Sequence, residues 1–350
     1  MNYTRSFFIR FYQAEKWGYD MTVLFVLIVF SVIIVNGFTD APNAIATCIS
    51  SRSMTPGGAI ILAGVCNFMG ALAASIFFSE VAETVYSIVD FGGDSDLALS
   101  SLFAGMCAVV MWALVAFLFG IPTSESHALV SGIIGAALGG RMSAQAVNVK
   151  YLLVVLTGLF VSTVPAYFIS RWIYGIIMRL FSSRDRRRSI RYFTRAQRLS
   201  AAASAFLHGA QDSQKFAGVL MLGMSLYVGN KGAESFKVPI TISLACALAM
   251  SFGTLLGGSR IIKKVGEDMV RLDASAGTAS DAASSCVLAV CTVLGIPVST
   301  THSKTSAMMG AGSVTHGGVN KDVARQMIIA WLLTFPCCAL LGFLLGFILR

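Results

Sequence analysis

Asn36-Gly-Phe-Thr-Asp-Ala-Pro-Asn43 interrupts one long apolar run, and His208-Gly-Ala-Gln-Asp-Ser-Gln-Lys215 interrupts another run 172 residues later. A second pair of motifs, Gly120-Ile-Pro-Thr-Ser-Glu-Ser-His127 and Gly295-Ile-Pro-Val-Ser-Thr-Thr-His302, recurs at an offset of 175 residues. Two motifs that recur in the same order at nearly the same offset predict a chain made of two homologous halves.

The distribution of charge predicts that these halves, 1–180 and 199–350, are inverted. Residues 179–198 carry eight arginines and one aspartate. The positive-inside rule therefore places the linker 181–198 in the cytoplasm. The loop 80–98 has five acidic residues and no Lys or Arg, whereas its counterpart 258–273 has four Lys and Arg residues. Equivalent loops with opposite bias are expected on opposite faces of a membrane.

Composition supports a polytopic membrane protein. Of the 350 residues, 56% are hydrophobic and 12% are charged, about half the charge of a typical soluble domain. The net charge of +9 lies mostly in short loops, so we expect a lipid bilayer and no nucleic acid as partner. The eight cysteines lie in apolar segments without a CxxC pair, which favours core residues over disulfides or zinc. We expect no cleavable signal peptide.

The apolar segments predict an all-α fold with broken helices. Several are long enough to cross a bilayer, which takes about 20 residues. We predict breaks at the two aspartate motifs, where irregular backbone must be buried or line a cavity. The short segments 128–139 and 303–313 predict two re-entrant helical hairpins whose polar tips meet near the midplane. The apolar segments are 21–35, 57–79, 99–119, 150–178, 201–227, 238–257, 282–296 and 326–349.

The aspartate motifs are candidate cation sites. An acidic residue at the centre of a spanning helix costs about 2.5–3.5 kcal/mol on insertion scales. Asp40 and Asp212 occur at equivalent positions beside glycine and polar groups, with Thr39, Asn43 and Gln211 as further oxygen ligands. The alternative interpretation is an aspartate that only caps a helix at the membrane interface.

The Gly-x-Pro motifs are candidate anion sites. Pro122 and Pro297 suit the first turn of a helix, where the missing N–H is not needed. The hydroxyls that follow can cap that turn and, with exposed backbone N–H groups, hold an anion. The alternative is that they are packing residues bonded back to carbonyls. These hydroxyls belong to Ser124, Ser126, Ser299, Thr300 and Thr301.

Five other residues are candidates for supporting or proton-linked roles. His127 and His302 end the Gly-x-Pro motifs, and we favour an orienting role over direct proton transfer. Lys215, Lys304 and Glu125 are further charges inside apolar regions.

These motifs resemble those of the inorganic phosphate transporter (PiT) family over nearly the whole chain. The resemblance implies cation-coupled uptake of phosphate by an inverted-repeat fold that is usually a homodimer. It implies that the aspartate motifs bind the coupling ion, sodium or a proton, with Asp40, Asn43 and Asp212 as ligands if the ion is sodium. It also implies that the Ser/Thr tips bind inorganic phosphate. Thr39, Gln211 and Lys215 stand where the common pattern has Asn, and the Asp-x-Gln-Lys form resembles a bacterial branch linked to proton coupling or metal-phosphate transport.

The sequence therefore predicts a symporter of the cytoplasmic membrane that works by alternating access, with no organic cofactor and no enzymatic activity. A sulfate or metal-phosphate symporter of the same fold is the alternative, followed by a passive anion channel. Ser299, His302 and Asp212 also supply the residue types of a hydrolase triad. Their duplication argues against a hydrolase, because a single nucleophile needs no twin.

Overall fold

The computed structural model describes residues 16–90, 95–120, 123–140, 146–181, 183, 185–228, 237–315 and 317–350. Over these residues the chain is helical, and the extended pairing is an isolated bridge between Val89 and Val147. The helices in order are α1 Lys16–Thr39, α2 Ala41–Ser50, α3 Pro56–Phe77, α4 Glu80–Tyr86, α5 Ser95–Leu118, α6 Glu125–Gly139, α7 Val149–Phe181, α8 Arg186–Val228, α9 Ile240–Leu255, α10 Ser259–Lys263 with a π-helical turn Lys264–Met269, α11 Ala274–Val293, α12 Thr300–Gly312 and α13 Lys321–Leu349.

Within the described ranges, six stretches are long and apolar enough to cross a membrane. α9 and the segment Arg260–Met269 form a further candidate, bent by 67°. Large apolar side chains such as Phe168, Trp172 and Leu332 lie exposed on the outside of the bundle, where a bilayer would cover them. The protein is therefore a multi-pass membrane protein, as its sequence predicts. The six stretches are Met21–Ser50, Pro56–Phe77, Asp96–Leu118, Val149–Phe181, Ala274–Val293 and Lys321–Leu349.

The prediction of a break is confirmed at the first aspartate motif and wrong at the second. α1 ends at Thr39 and α2 begins at Ala41, with a proline in its first turn. Pro42 has no N–H to continue the ladder of α1, so the helix is interrupted at Asp40. In contrast, α8 runs without a break through residues 208–215, which contain no proline.

Most of the described residues of the basic linker 181–198 are helical. α7 ends at Phe181 and α8 begins at Arg186, so the arginine-rich segment is the first part of a helix of 43 residues. The buried residues of the second aspartate motif are therefore carried on the same helix as this basic end.

Glycines allow α6, a short helix of 15 residues, to pack tightly against the last helix. Gly135 and Gly139 of α6 face the backbone carbonyls of Ala339 and Phe343 on α13. Gly342 and Gly346 of α13 face the backbone of α6 in return. Small residues four apart let two helix backbones approach closely in a membrane, where hydrophobic burial gives little drive for association. The contact fixes the position of the half-helix that carries the first Gly-x-Pro motif.

We expect Gly135→Ala to lower the melting temperature of the purified protein, because its new methyl group would overlap the Ala339 carbonyl oxygen. Overpacking of this kind costs about 1–3 kcal/mol. Gly175→Ala is the matched control, because a methyl group there would have no described atom within 4 Å. Equal melting temperatures for the two variants would contradict this assignment of the helix contact.

Candidate functional site

Both Gly-x-Pro motifs begin with a glycine of positive φ and lead into a capped helix. Gly120 and Gly295 have φ of +63° and +68°, a left-handed conformation that glycine adopts without strain. The side chains of Ser124 and Ser299 then accept hydrogen bonds from the backbone N–H groups of His127 and His302. Of the five hydroxyls predicted to cap, Ser124 and Ser299 are the N-caps of α6 and α12, and the other three bind different partners.

The predicted position of proline in this motif is wrong in the second half. Pro297 lies two residues before the N-cap Ser299, outside the helix, and α12 begins only at Thr300. Ser299 satisfies one free N–H of the first turn, that of His302, because its side chain can accept a hydrogen bond. Pro122 lies outside the described residues.

The tips of the two motifs meet, as predicted. The rings of His127 and His302 lie with their centroids 4.9 Å apart, and Ser126 Oγ donates to the Val298 carbonyl oxygen at 3.1 Å. The N-termini of α6 and α12 therefore come together inside the bundle. Both helix ends carry positive partial charge, which favours an anion or a carboxylate near them.

Asp40 and Asp212 lie close together near these tips, and the side-chain amide of one residue, Asn36, contacts both. Asn36 Nδ2 lies 3.2 Å from Asp212 Oδ2 and 3.5 Å from Asp40 Oδ2. Both carboxylates are buried, with exposed fractions of 3% and 2%. Sequence reasoning placed the two aspartates at equivalent positions but did not select Asn36, although this residue begins the first motif.

Hydroxyls from the tip of α12 bind these two carboxylates. Thr301 Oγ1 donates to Asp40 Oδ1 at 2.7 Å and accepts from Asn43 Nδ2 at 3.2 Å. Thr300 Oγ1 donates to Asp212 Oδ2 at 3.4 Å. The residues predicted to bind phosphate are therefore in direct contact with the residues predicted to bind the cation.

Lys215 provides positive charge on the other side of Asp212. Its Nζ lies 2.6 Å from Asp212 Oδ1, 2.6 Å from Ser126 Oγ and 2.6 Å from the Val298 carbonyl oxygen. The lysine is 2% exposed, and its partner in the ion pair is equally buried. A buried charge pair is stable only when the geometry satisfies both partners, and here the ammonium group uses all three of its N–H donors.

His208 adds an imidazole to the cluster, and sequence reasoning did not assign it a role. Its Nδ1 lies 2.9 Å from Asn67 Oδ1, and its Nε2 lies 3.3 Å from Asp212 Oδ2. One ligand atom from each of Asp40, His208 and Asp212 lies within 4.8 Å of the others. Two carboxylates and an imidazole suit a divalent metal ion, and the carboxylates with Asn36 and Asn43 also suit sodium.

Glu125 brings a third carboxylate to the site. It is the first residue of α6 and accepts a hydrogen bond from Thr39 Oγ1 at 3.2 Å. Its position at a helix N-terminus is electrostatically favourable. Among the described residues, no donor reaches its second oxygen, Oε2.

Gln211 and His302 contact residues around the site and not its carboxylates. Gln211 donates to the Ile296 carbonyl oxygen at 2.8 Å and accepts from Thr292 at 3.1 Å. The His302 ring lies 4.1 Å from the Trp331 ring, and its nitrogens have no hydrogen-bond partner in the described part of the chain. A triad of Ser299, His302 and Asp212 is therefore not formed.

Lys304 lies in a second buried cluster, with a partner that sequence reasoning missed. Its Nζ forms an ion pair with Asp281 and also contacts the Ala44 carbonyl oxygen at 3.2 Å and Ser204 Oγ at 3.4 Å. Thr47 Oγ1 donates to the same aspartate at 2.8 Å. The apolar segment predicted at 282–296 begins just after Asp281, whereas α11 begins at Ala274 and places this aspartate inside the helix.

The two clusters border a very small cavity. Its volume is about 10 Å³, and its lining includes Asn43 and His208 from the first cluster and Ser204 and Lys304 from the second. This volume suffices for about one water molecule. A cavity of this size is too small for a phosphate ion.

Known proteins resemble this chain over most of its length. The profile of the phosphate transporter family matches residues 36–342. A Bacillus subtilis protein named "Probable low-affinity inorganic phosphate transporter" is 33% identical over 94% of this chain and 97% of its own length. A Rhizobium meliloti protein of the same name is 32% identical over 89% and 91%.

A solved structure gives independent support for the fold. The structure titled "The sodium-dependent phosphate transporter" matches with a TM-score of 0.82, covering 94% of this chain and 99% of that chain at 21% identity. The profile match and the two relatives establish that the chain belongs to the phosphate transporter family.

Proposed function

We propose that this protein is a cation-coupled symporter that takes up inorganic phosphate across the cytoplasmic membrane by alternating access. The observation that carries the proposal is the direct contact between the two kinds of motif: Thr301 with Asp40 and Thr300 with Asp212. Membership of the phosphate transporter family and the names of the relatives support phosphate as the substrate.

These contacts suggest how cation and phosphate binding are coupled. A threonine hydroxyl has one proton to donate, and in this structure Thr301 donates it to Asp40. A cation or proton at Asp40 would neutralise the carboxylate and compete for this hydrogen bond. The freed hydroxyl, with the backbone N–H groups of α12, could then donate to a phosphate oxygen.

Electrostatics favours loading of a cation before or with the anion. The site contains three buried carboxylates, Asp40, Asp212 and Glu125, against one lysine, Lys215. A phosphate ion beside them would add like charge, and two unit charges 4 Å apart interact by about 4 kcal/mol at an effective dielectric constant of 20. A cation removes this penalty, so the empty and fully loaded carriers are favoured over a carrier loaded with phosphate alone.

The closed geometry supports alternating access. Phosphate cannot enter a cavity of about 10 Å³, and the tips that would hold it come from α6 in the first half and α12 in the second. Rocking of the two halves would separate these tips toward one side of the membrane at a time. The arginine-rich start of α8 would lie on the cytoplasmic side.

Uptake of labelled phosphate into proteoliposomes tests the proposal. Imposed sodium or proton gradients identify the coupling ion, for which the name of the structural neighbour makes sodium one candidate. Sulfate and arsenate serve as competitors, and a chelator tests the metal-phosphate alternative that Asp40, His208 and Asp212 would permit. If neither ion gradient makes phosphate accumulate against its own concentration gradient, the protein is a channel instead.

We expect Asp40→Asn and Asp212→Asn each to lower concentrative phosphate uptake by about a hundredfold or more. The reason is that the contact between a carboxylate and a cation contributes about 4 kcal/mol, and each 1.4 kcal/mol changes an equilibrium constant about tenfold. Asp268→Asn is the control, because this carboxylate is exposed on the π-helical turn. Near wild-type uptake with unchanged ion dependence in both variants would exclude the proposed cation role.

We expect Thr301→Val to raise the phosphate concentration for half-maximal uptake by roughly ten- to a hundredfold. A hydrogen bond to a charged group contributes about 1.5–3 kcal/mol, and valine keeps the shape of threonine without its hydroxyl. Because this hydroxyl also binds Asp40, the variant should change the cation dependence as well. Thr301→Ser keeps the hydroxyl and should restore both the half-maximal phosphate concentration and the cation dependence. An unchanged half-maximal phosphate concentration in Thr301→Val would place the anion elsewhere.

A further inference from the structure

The ammonium group of Lys215 lies in a cage of oxygen atoms of the kind that binds cations. Its three neighbours are a carboxylate of Asp212, a hydroxyl of Ser126 and the backbone carbonyl of Val298, each 2.6 Å from Nζ. These three are together called the Asp212 cage. Carboxylate, carbonyl and hydroxyl oxygens are the ligands that hard metal cations prefer.

The equivalent position of the first half has no built-in charge. The residue that corresponds to Lys215 at the offset of 172 is Asn43. Asn43 Oδ1 and Asn36 Oδ1 are buried near Asp40, and the described part of the chain provides neither oxygen with a hydrogen-bond donor. The first half thus offers oxygen atoms available to a mobile cation, whereas the second half holds an ammonium group.

We propose that Lys215 is a tethered cation that permanently fills the second cation site of this transporter. Mobile cation is then needed only at Asp40, and the lysine sets how many ions accompany each phosphate. This inference rests on the cation role proposed above for the two aspartate motifs. It makes Lys215 the residue that determines coupling stoichiometry.

The contacts of Lys215 favour this role over direct binding of phosphate. An ammonium group has three N–H donors, and all three are taken by the Asp212 cage. Turning toward an anion would leave Asp212 as a buried and poorly compensated charge, which is strongly unfavourable. Ser126 is also engaged, because it accepts from Lys215 and donates to the Val298 carbonyl oxygen.

A second lysine in this chain is held in the same way. Lys304 contacts a carboxylate, a backbone carbonyl and a hydroxyl, from Asp281, Ala44 and Ser204. This pair is also almost fully buried. The fold therefore accommodates an ammonium group in such an oxygen set at two separate places.

Binding of ²²Na⁺ to the purified protein, measured without phosphate, tests the inference. Lys215→Asn frees the three oxygens of the Asp212 cage and adds an amide oxygen, as Asn43 does in the first half. We expect this variant to bind one more sodium ion per chain than the wild type. Lys215→Ala frees the same oxygens and should show the same gain, whereas Lys215→Arg keeps the charge and should show none.

The gain must also depend on the carboxylate, so adding Asp212→Asn to Lys215→Asn should abolish it. A melting curve of each variant in choline chloride identifies the variants that fold. Either Lys215→Asn or Lys215→Ala suffices for the comparison of bound sodium with the wild type. Folded neutral variants that bind no more sodium than the wild type would overturn the inference. The inference would also be overturned if the wild-type protein already binds two sodium ions, with Asp40→Asn removing one of them and Asp212→Asn removing the other. The assay needs no transport, so its result is independent of the uptake experiments.

Discussion

The burial of two neighbouring carboxylates is the constraint on which the rest of the structure depends. Asp40 and Asp212 share the amide of Asn36 and have almost no contact with solvent. Each must be compensated by charge or hydrogen bonds, because an unpaired buried charge is very unfavourable. Asn36, Thr300, Thr301 and Lys215 supply this compensation, so the tip of α12 and the two aspartate motifs must converge. The same convergence brings the hydroxyls proposed to bind the anion into contact with the carboxylates proposed to bind the cation.

The two halves solve this problem differently despite their similar motifs. In the first half Pro42 breaks the helix at Asp40, and Asn43 leaves an amide oxygen without a donor among the described residues. In the second half α8 continues unbroken past Asp212, and Lys215 compensates the carboxylate directly. The capped turns at Ser124 and Ser299 are closely alike, however. The two tips share their caps but also differ, because Glu125 stands in the first where Thr300 stands in the second. The difference between Asn43 and Lys215 in the aspartate motifs is consistent with the proposal of one mobile and one tethered cation.

Sequence patterns could predict the features that depend on local chemistry. Proline at 42 predicted the break in α1, and serine before a short small-residue segment predicted the caps of α6 and α12. The same reasoning failed for residues 208–215, where polar side chains suggested a break although neighbouring helices satisfy them. Asn36, His208 and Asp281 were not selected. Each has a partner more than 100 residues away that the sequence does not reveal, and hydropathy also misplaced the helix boundary near Asp281. The inverted arrangement of the halves stays a prediction.

The most direct test of the coupling account is the mutual dependence of phosphate and cation binding. Calorimetric titration of the purified protein with phosphate, repeated over a range of sodium concentrations and pH, gives the phosphate dissociation constant in each condition. The account predicts that the coupling ion tightens phosphate binding, and that phosphate tightens binding of that ion by the same factor, typically about 5- to 150-fold. A phosphate dissociation constant that depends on neither sodium nor pH would contradict it.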